Sequence, residues 1–216
     1  MAVALIYLVR HAENRANVER LMSHRVIDYS LTELGREQAE ALGRWFLDRA
    51  LARVYCSPLR RARETAEYIA RATGAAIVEA EALRELRVGR LDGRGDDVSW
   101  QEHDEVIARW RTGEWEARFP EVESYREAYD RLAGLLAELA ERHRDEDVAV
   151  VGHGGLYSTV LPRLCPVNGH DGVSPLRLRN TAVTIMRNAG GALACERWGG
   201  TDHLPELPEI GPGPIR

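Results

Sequence analysis

The chain opens on an unbroken apolar run, Ala4-Leu5-Ile6-Tyr7-Leu8-Val9, which stops abruptly at Arg10 and His11. A second run, Val148-Ala149-Val150-Val151, lies between Asp147 and Gly152. Continuous rather than alternating hydrophobicity marks strands covered on both faces, so both are read as buried parallel strands. Arg53-Val54-Tyr55-Cys56, closed by Ser57-Pro58, and Ala76 to Val78 are shorter strands. Residues 181–187 and 192–198 make two more, joined at Gly190-Gly191. Helical periodicity fills the gaps. Residues 32–49 place Ala39, Leu42 and Phe46 on one face, with Ser30 or Thr32 as cap. Residues 60–73 form a helix stopped by Gly74. Residues 123–144 set Ala128, Leu132, Leu135 and Leu139 on a buried side, and another helix runs from Gly155 to Leu164.

Strand and helix alternate, so the expected fold is α/β, a three-layer sandwich with a mostly parallel central sheet flanked by helices. A single domain over residues 1–216 is expected, with one small cap-like insertion. The insertion, about 86–125, holds Gly89, Gly93, Gly95, Gly113 and Pro120, dense charge, and Trp100, Trp110 and Trp115. It is read as short helices outside the core. Four of the nine prolines lie from Pro205 onward, which predicts an extended tail from about 205.

Charge refines this picture. The net charge of −5 offers no general attraction to nucleic acid. The acidic excess is local, twelve acids against six bases in residues 92–131, so a cationic cluster elsewhere is compatible with it. All 29 basic residues are arginine. This excludes a phosphate-binding lysine or a lysine Schiff base, and makes every permanent cation a planar fork suited to phosphate or carboxylate. No apolar run approaches the roughly 20 residues of a membrane span. The apolar start flows into Arg10 and is read as a strand rather than a signal peptide. Cys56, Cys165 and Cys195 are widely spaced and odd in number, which suggests core thiols in a reducing cytoplasm and no disulfide framework or zinc site.

Three strand ends carry cationic groups: Arg10-His11, Ser57-Pro58-Leu59-Arg60-Arg61-Ala62, and Gly152-His153-Gly154-Gly155. Ligands of open α/β sheets gather beyond the carboxyl ends of strands. A lone histidine there is more often structural. Several cations converging is another matter, since they need an anion to satisfy them. The helix start after Pro58 would add backbone N–H groups for such an anion.

These blocks, taken together, resemble the histidine phosphatase superfamily, the phosphoglycerate-mutase-like proteins. The matching stretches are Leu8-Val9-Arg10-His11-Ala12-Glu13 with Asn17, Leu31 to Ala39, Ser57 to Ala66, Leu83 to Gly93, and Val150 to Gly155, in family order over residues 5–155. The resemblance implies that His11 is the nucleophile and passes through a phosphohistidine. It implies that Arg10, Asn17, Arg61 and His153 bind phosphate, and that Glu85 is general acid and base. Arg60 competes with Arg61, and registry with the motif favours Arg61. Adjacent arginines would hold His11 neutral. With that much positive charge around the phosphoryl group, no metal and no other cofactor is expected. Ala12 stands where glycine is commoner, Asn14 where threonine is frequent, Leu91 where tryptophan is frequent, and Gly152 where serine is frequent. None of these departures removes a reacting group.

The activity expected is hydrolysis of a small phosphorylated metabolite. Phosphoglycerate mutase chemistry on the same site is the first rival, disfavoured because an acidic insertion would repel a second phosphate. A non-catalytic binding protein is the second, disfavoured because His11 and Glu85 are both present. The insertion's tryptophans and acids suggest stacking on a ring or attraction to an amine. Glu13, His24 and His203 are candidate pocket members, whereas His103, His143 and His170 are read as solvated. A homodimer is the commonest assembly for such an enzyme.

Overall fold

The computed structural model describes residues 4–119, 122–165, 178–189 and 192–205. His170, the Gly190-Gly191 joint and the tail beyond Pro205 lie outside the described residues. Six strands form one sheet in the order β3-β2-β4-β1-β5-β6. They are β1 (Ala4–Arg10), β2 (Leu51–Cys56), β3 (Ala76–Glu79), β4 (Asp147–Gly152), β5 (Val183–Ala189) and β6 (Ala192–Gly200). The first four pair in parallel, and β5 and β6 add an antiparallel edge.

Successive side chains of a strand point to opposite faces, so each apolar run feeds two cores. Tyr7, Val9, Val54, Cys56, Ala149 and Val151 pack beneath α2 (Glu33–Phe46) and α3 (Arg60–Thr73). Ile6, Leu8, Tyr55, Val148 and Val150 pack beneath α5 (Tyr125–Arg142) and α6 (Gly154–Leu164). This is why β1 and β4 read as continuous hydrophobic stretches. The Ile6↔Val148 to Arg10↔Gly152 register brings Arg10-His11 and Gly152-His153 to the same end of the sheet. The bond from the His11 N–H to the Gly152 carbonyl (2.9 Å) carries the pairing one residue past the strand.

Helix limits follow from caps. Thr32 caps α2, accepting the Gly35 N–H at 3.0 Å, and α3 ends at Gly74, whose φ of 75° suits glycine. Ser124 and Glu127 form a reciprocal capping box at the start of α5. The buried stripe of α5 runs through Ala128, Leu132, Leu136 and Leu139, so Leu136 takes the place expected of Leu135.

The insertion corrects the sequence reading. It contains the four-turn helix α4 (Asp97–Arg111), whose Val106, Ile107 and Trp110 join the same core as α5, along with Phe119. The glycines flank this helix instead of breaking it. Heavy charge on the outer face dilutes its periodic signal, which is how a core-packed element came to read as an external one. Two histidines are also corrected. His143, 6% exposed, bonds Tyr55 through Nε2 (2.9 Å) and Glu146 through Nδ1 (3.0 Å). His103 stacks on Phe119.

Candidate active site

The arginine and histidine side chains at the three strand ends meet. His11 follows β1 and is buried. Its Nδ1 lies 2.7 Å from the Ala12 carbonyl and must donate to it. Nε2 is therefore the unprotonated nitrogen, and the Arg61 Nε–H points at it from 3.1 Å. Burial, then the charges of Arg61 and Arg10, hold the His11 pKa well below the usual histidine range. The imidazole of His153 lies 5.2 Å away, centroid to centroid, and is held neutral by burial and Arg61.

Arg61 and Arg60 are adjacent, and the first turn of α3 sends them apart. The Arg61 side chain is 3% exposed, whereas that of Arg60 is 60% exposed and pairs with Glu64. Arg61 donates to the Ser23 hydroxyl (3.2 Å) and carbonyl (2.7 Å). Its burial lowers its pKa to about 10, which still leaves it cationic at neutral pH. The Arg60 N–H is not available for an anion as expected, because the Asp28 carboxylate accepts it at 2.9 and 3.1 Å.

Arg10 is fixed by a bond from Nη1 to the Leu178 carbonyl. Its guanidinium passes so close to Gly154 that a Cβ there would stand 3.0 Å from Nε. Two buried polar atoms of this cluster, Arg10 Nε and His153 Nδ1, make no hydrogen bond among the described residues. Leaving such groups unsatisfied costs about 1–3 kcal/mol each, a cost that an anionic ligand would remove.

Glu85 reaches the cluster from the loop after β3. Its oxygens accept N–H groups of Gly155 (3.0 Å) and Leu156 (2.7 Å), at the start of α6, and of its own neighbour Leu86 (2.9 Å). The carboxyl group thus caps the helix that begins directly after His153.

Asn17 and Asn14 cap the one-turn helix α1 (Arg15–Val18) reciprocally. Asn17 Oδ1 accepts from the Asn14 N–H (3.2 Å) and the Asn180 amide (3.1 Å), which leaves its NH2 as the group available to an anion. Asn180 also donates to the His11 carbonyl at 3.0 Å. Sequence reasoning missed Asn180, Ser23 and Ser57, the last bonding His153 Nε2 at 2.8 Å. Ser57 was visible as the residue closing β2. Asn180 and Ser23 sit in loops with no periodic signal. Asp92 secures the Ser23 loop by accepting the N–H groups of His24, Arg25 and Val26.

Of the other candidates, Glu13 accepts from the Thr32 hydroxyl, and His203 bonds Thr181 beside Trp45. His24 lies within the electrostatic reach of Glu85, Arg84 and Asp92. The insertion's tryptophans do not wait for a ring: Trp110 is buried, Trp115 packs on Tyr125 and Tyr129, and the Trp100 indole donates to the Arg20 carbonyl. Several acids of the insertion are ion-paired, as Glu102–Arg90, Glu114–Arg109, Glu116–Arg126 and Glu127–Arg118. Three of these arginines already count among the six bases of residues 92–131, so the local acidic excess stands. Among the described residues, no group of three or more His, Cys, Asp or Glu side chains could hold a metal ion. No described helix is long and apolar enough to cross a membrane.

The chain is similar to known proteins over most of its length. A family model described as histidine phosphatase superfamily (branch 1) matches residues 6–201. A Hydrogenobacter thermophilus protein named "Putative phosphoserine phosphatase 2" is 30% identical over 86% of this chain and 90% of its own. Phosphoglycerate mutase-like protein 4 of Arabidopsis thaliana is 30% identical over 94% of this chain and 88% of its own. The structure of a mycobacterial glucosyl-3-phosphoglycerate phosphatase superposes with a TM-score of 0.73 at 26% identity, covering 91% of this chain and 99% of that one.

Proposed function

Since the chain belongs to the histidine phosphatase superfamily (branch 1), we propose that it hydrolyses a small-molecule phosphomonoester through a phosphohistidine on His11, without a metal. The observation that carries this is the state of His11. It is a neutral imidazole, oriented by the Ala12 carbonyl, with its free nitrogen facing the Arg61 guanidinium. An anion drawn in by Arg61 is delivered to a lone pair.

Nε2 attacks phosphorus in line as the bond to the alcohol oxygen breaks. Arg10, Arg61, the Asn17 amide and His153 hold the phosphoryl oxygens, whose charge is spread in the transition state. Glu85 gives its proton to the departing alkoxide. It then takes one from water as the oxygen attacks the phosphohistidine, releasing phosphate and restoring Nε2. The insertion, positioned next to the Ser23 loop through Asp92 and Trp100, would govern substrate choice.

Loss of the nucleophile in His11→Ala should lower kcat/KM on a chromogenic aryl phosphate by about a thousandfold or more. Wild-type protein quenched during turnover should carry acid-labile, base-stable phosphate. Full activity in the variant, or strong loss of wild-type activity in EDTA, would overturn the respective part of this reading.

The mutase-like relative supports a second reading, phosphoryl transfer between positions of a sugar acid. The two separate cleanly with 3-phosphoglycerate and a trace of 2,3-bisphosphoglycerate. Free phosphate supports the hydrolase, and 2-phosphoglycerate formed without it supports the mutase. Names among the similar proteins fall on both sides, phosphatase and phosphoglycerate mutase, so this assay makes the choice.

A further inference from the structure

Glu85 is held at its carboxylate by α6, but its backbone lies in an irregular loop, and something must fix that loop. Arg131 of α5 does so. Its Nη1 donates to the carbonyls of Ala82 (2.6 Å) and Arg84 (2.8 Å), and its Nη2 to the carbonyl of Glu85 itself (3.3 Å). The same guanidinium meets Glu123 in a two-point pair, Nε to Oε1 at 2.6 Å and Nη2 to Oε2 at 3.1 Å. Glu123 is 3% exposed, and its Oε2 also accepts the Arg87 N–H at 3.0 Å. The loop is therefore gripped on both sides of Glu85, before it through carbonyls and after it through an amide.

A buried ion pair adds little to stability by comparison with apolar residues of the same shape, since desolvation offsets the attraction. What it does supply is direction. Arginine offers five N–H donors in a rigid plane, and here the guanidinium serves three carbonyls and a carboxylate at once. Lysine has no such fork. Glu123 is buried and Arg131 is 15% exposed; neither bonds to the phosphate cluster, although the charge of Arg131 reaches His153.

We propose that Glu123 and Arg131 are positioning residues for the reaction, a clasp that sets where the Glu85 carboxyl meets the leaving-group oxygen. This rests on the role assigned to Glu85 above. It predicts a defect confined to proton transfer. An alkyl phosphate needs its poor leaving group protonated, whereas a dinitrophenyl phosphate expels a stable phenolate unaided. Transfer to His11 should then fail for the first substrate and proceed for the second.

The test is the ratio of kcat/KM for glycerol phosphate to that for dinitrophenyl phosphate. A ratio is independent of how much of a sample is folded. Glu85→Gln serves as reference, and its ratio should fall about a hundredfold, the usual scale of a lost general acid. Arg131→Met and Glu123→Gln should lower the ratio about tenfold or more, as small displacements of a catalytic group do. Arg131→Lys, which keeps the charge but not the fork, should fall between Arg131→Met and wild type. Each clasp variant should also release a burst of dinitrophenol and accumulate phosphohistidine, because Glu85 is needed again to activate water. Should Arg131→Met not fold, Glu123→Gln keeps the shape of the site and decides alone. A ratio within about twofold of wild type in the clasp variants, with Glu85→Gln behaving as described, overturns the clasp. An unchanged ratio in Glu85→Gln overturns instead the role of Glu85.

Discussion

At the scale of single residues, the site is built from groups held in states they would not choose in water. His11 and His153 are buried among guanidinium groups and held neutral, with folded pKa values well below the unfolded value of about 6.5. The sign of the consequence follows directly. Above pH 6.5 both states leave these rings unprotonated, and the rings do not make stability depend on pH. Below it the unfolded chain binds protons that the folded chain refuses, so stability is lost as pH falls. Each ring contributes up to about 1.4 kcal/mol per pH unit to that slope. Urea unfolding of the protein in phosphate-free buffer should therefore show stability falling from about pH 6.5 downward. His153→Gln should fall less steeply, and an identical slope in the variant would contradict the buried neutral ring. Arg61 marks the other side of this balance: even at a pKa of about 10 it remains charged at neutral pH, where the imidazoles are neutral.

At the scale of elements, the strand-to-helix junction after β4 explains one departure from the family pattern. A Cβ on Gly152 would stand 2.4 Å from the Tyr157 hydroxyl, which bonds back to the Val150 carbonyl. Tyr157, one turn into α6, fills the space that a side chain at position 152 would need. Three residues on, the same argument reaches function. A Cβ on Gly155 would stand 2.7 Å from Glu85 Oε1 and 3.0 Å from Oε2. Gly155→Ala should displace the carboxylate and lower kcat/KM on an alkyl phosphate about tenfold, with little change in Tm. Gly35 is the contrasting case. Its Cβ would meet the Glu13 backbone oxygen at 2.0 Å, where nothing flexible can yield. Gly35→Ala should cost about 1–3 kcal/mol of stability, visible as a lower Tm. If the two variants exchanged phenotypes, the stated packing at both glycines would be wrong.

At the scale of the whole molecule, parallel pairing of β2, β4 and β1 brings three distant strand ends side by side. Residues 50 and 142 positions from His11 thereby reach it, Arg61 donating to its ring and His153 lying beside it. Arg10 and Arg61 are the fixed cations of this cluster, and the charge of each disfavours the other until an anion enters. Orthovanadate or phosphate at about a hundred times its Kd should stabilise the fold by about 2.7 kcal/mol, raising Tm by about 5–10 °C. Arg61→Ala should lose most of that shift. An equal shift in the variant would place the anion elsewhere.

Local physics made much of this protein legible from its sequence. The unbroken apolar runs of β1 and β4 could only be strands covered on both faces, and Gly74 ended α3 where an L-residue would be strained. Blocks of chemistry at the ends of those strands announced a phosphate-handling family, because a nucleophile and its cations must lie close to strand ends to converge. Tertiary structure alone decided the rest. It took α4 into the core although its charged face hid the periodicity, and it buried His143 against Tyr55. It chose Arg61 over Arg60, joined Asn180 to Asn17 across the fold, and closed Glu123 and Arg131 around the Glu85 loop. All of these depend on contacts between residues far apart in the chain. A periodicity reports which face of an element is apolar, but not which neighbour will cover it.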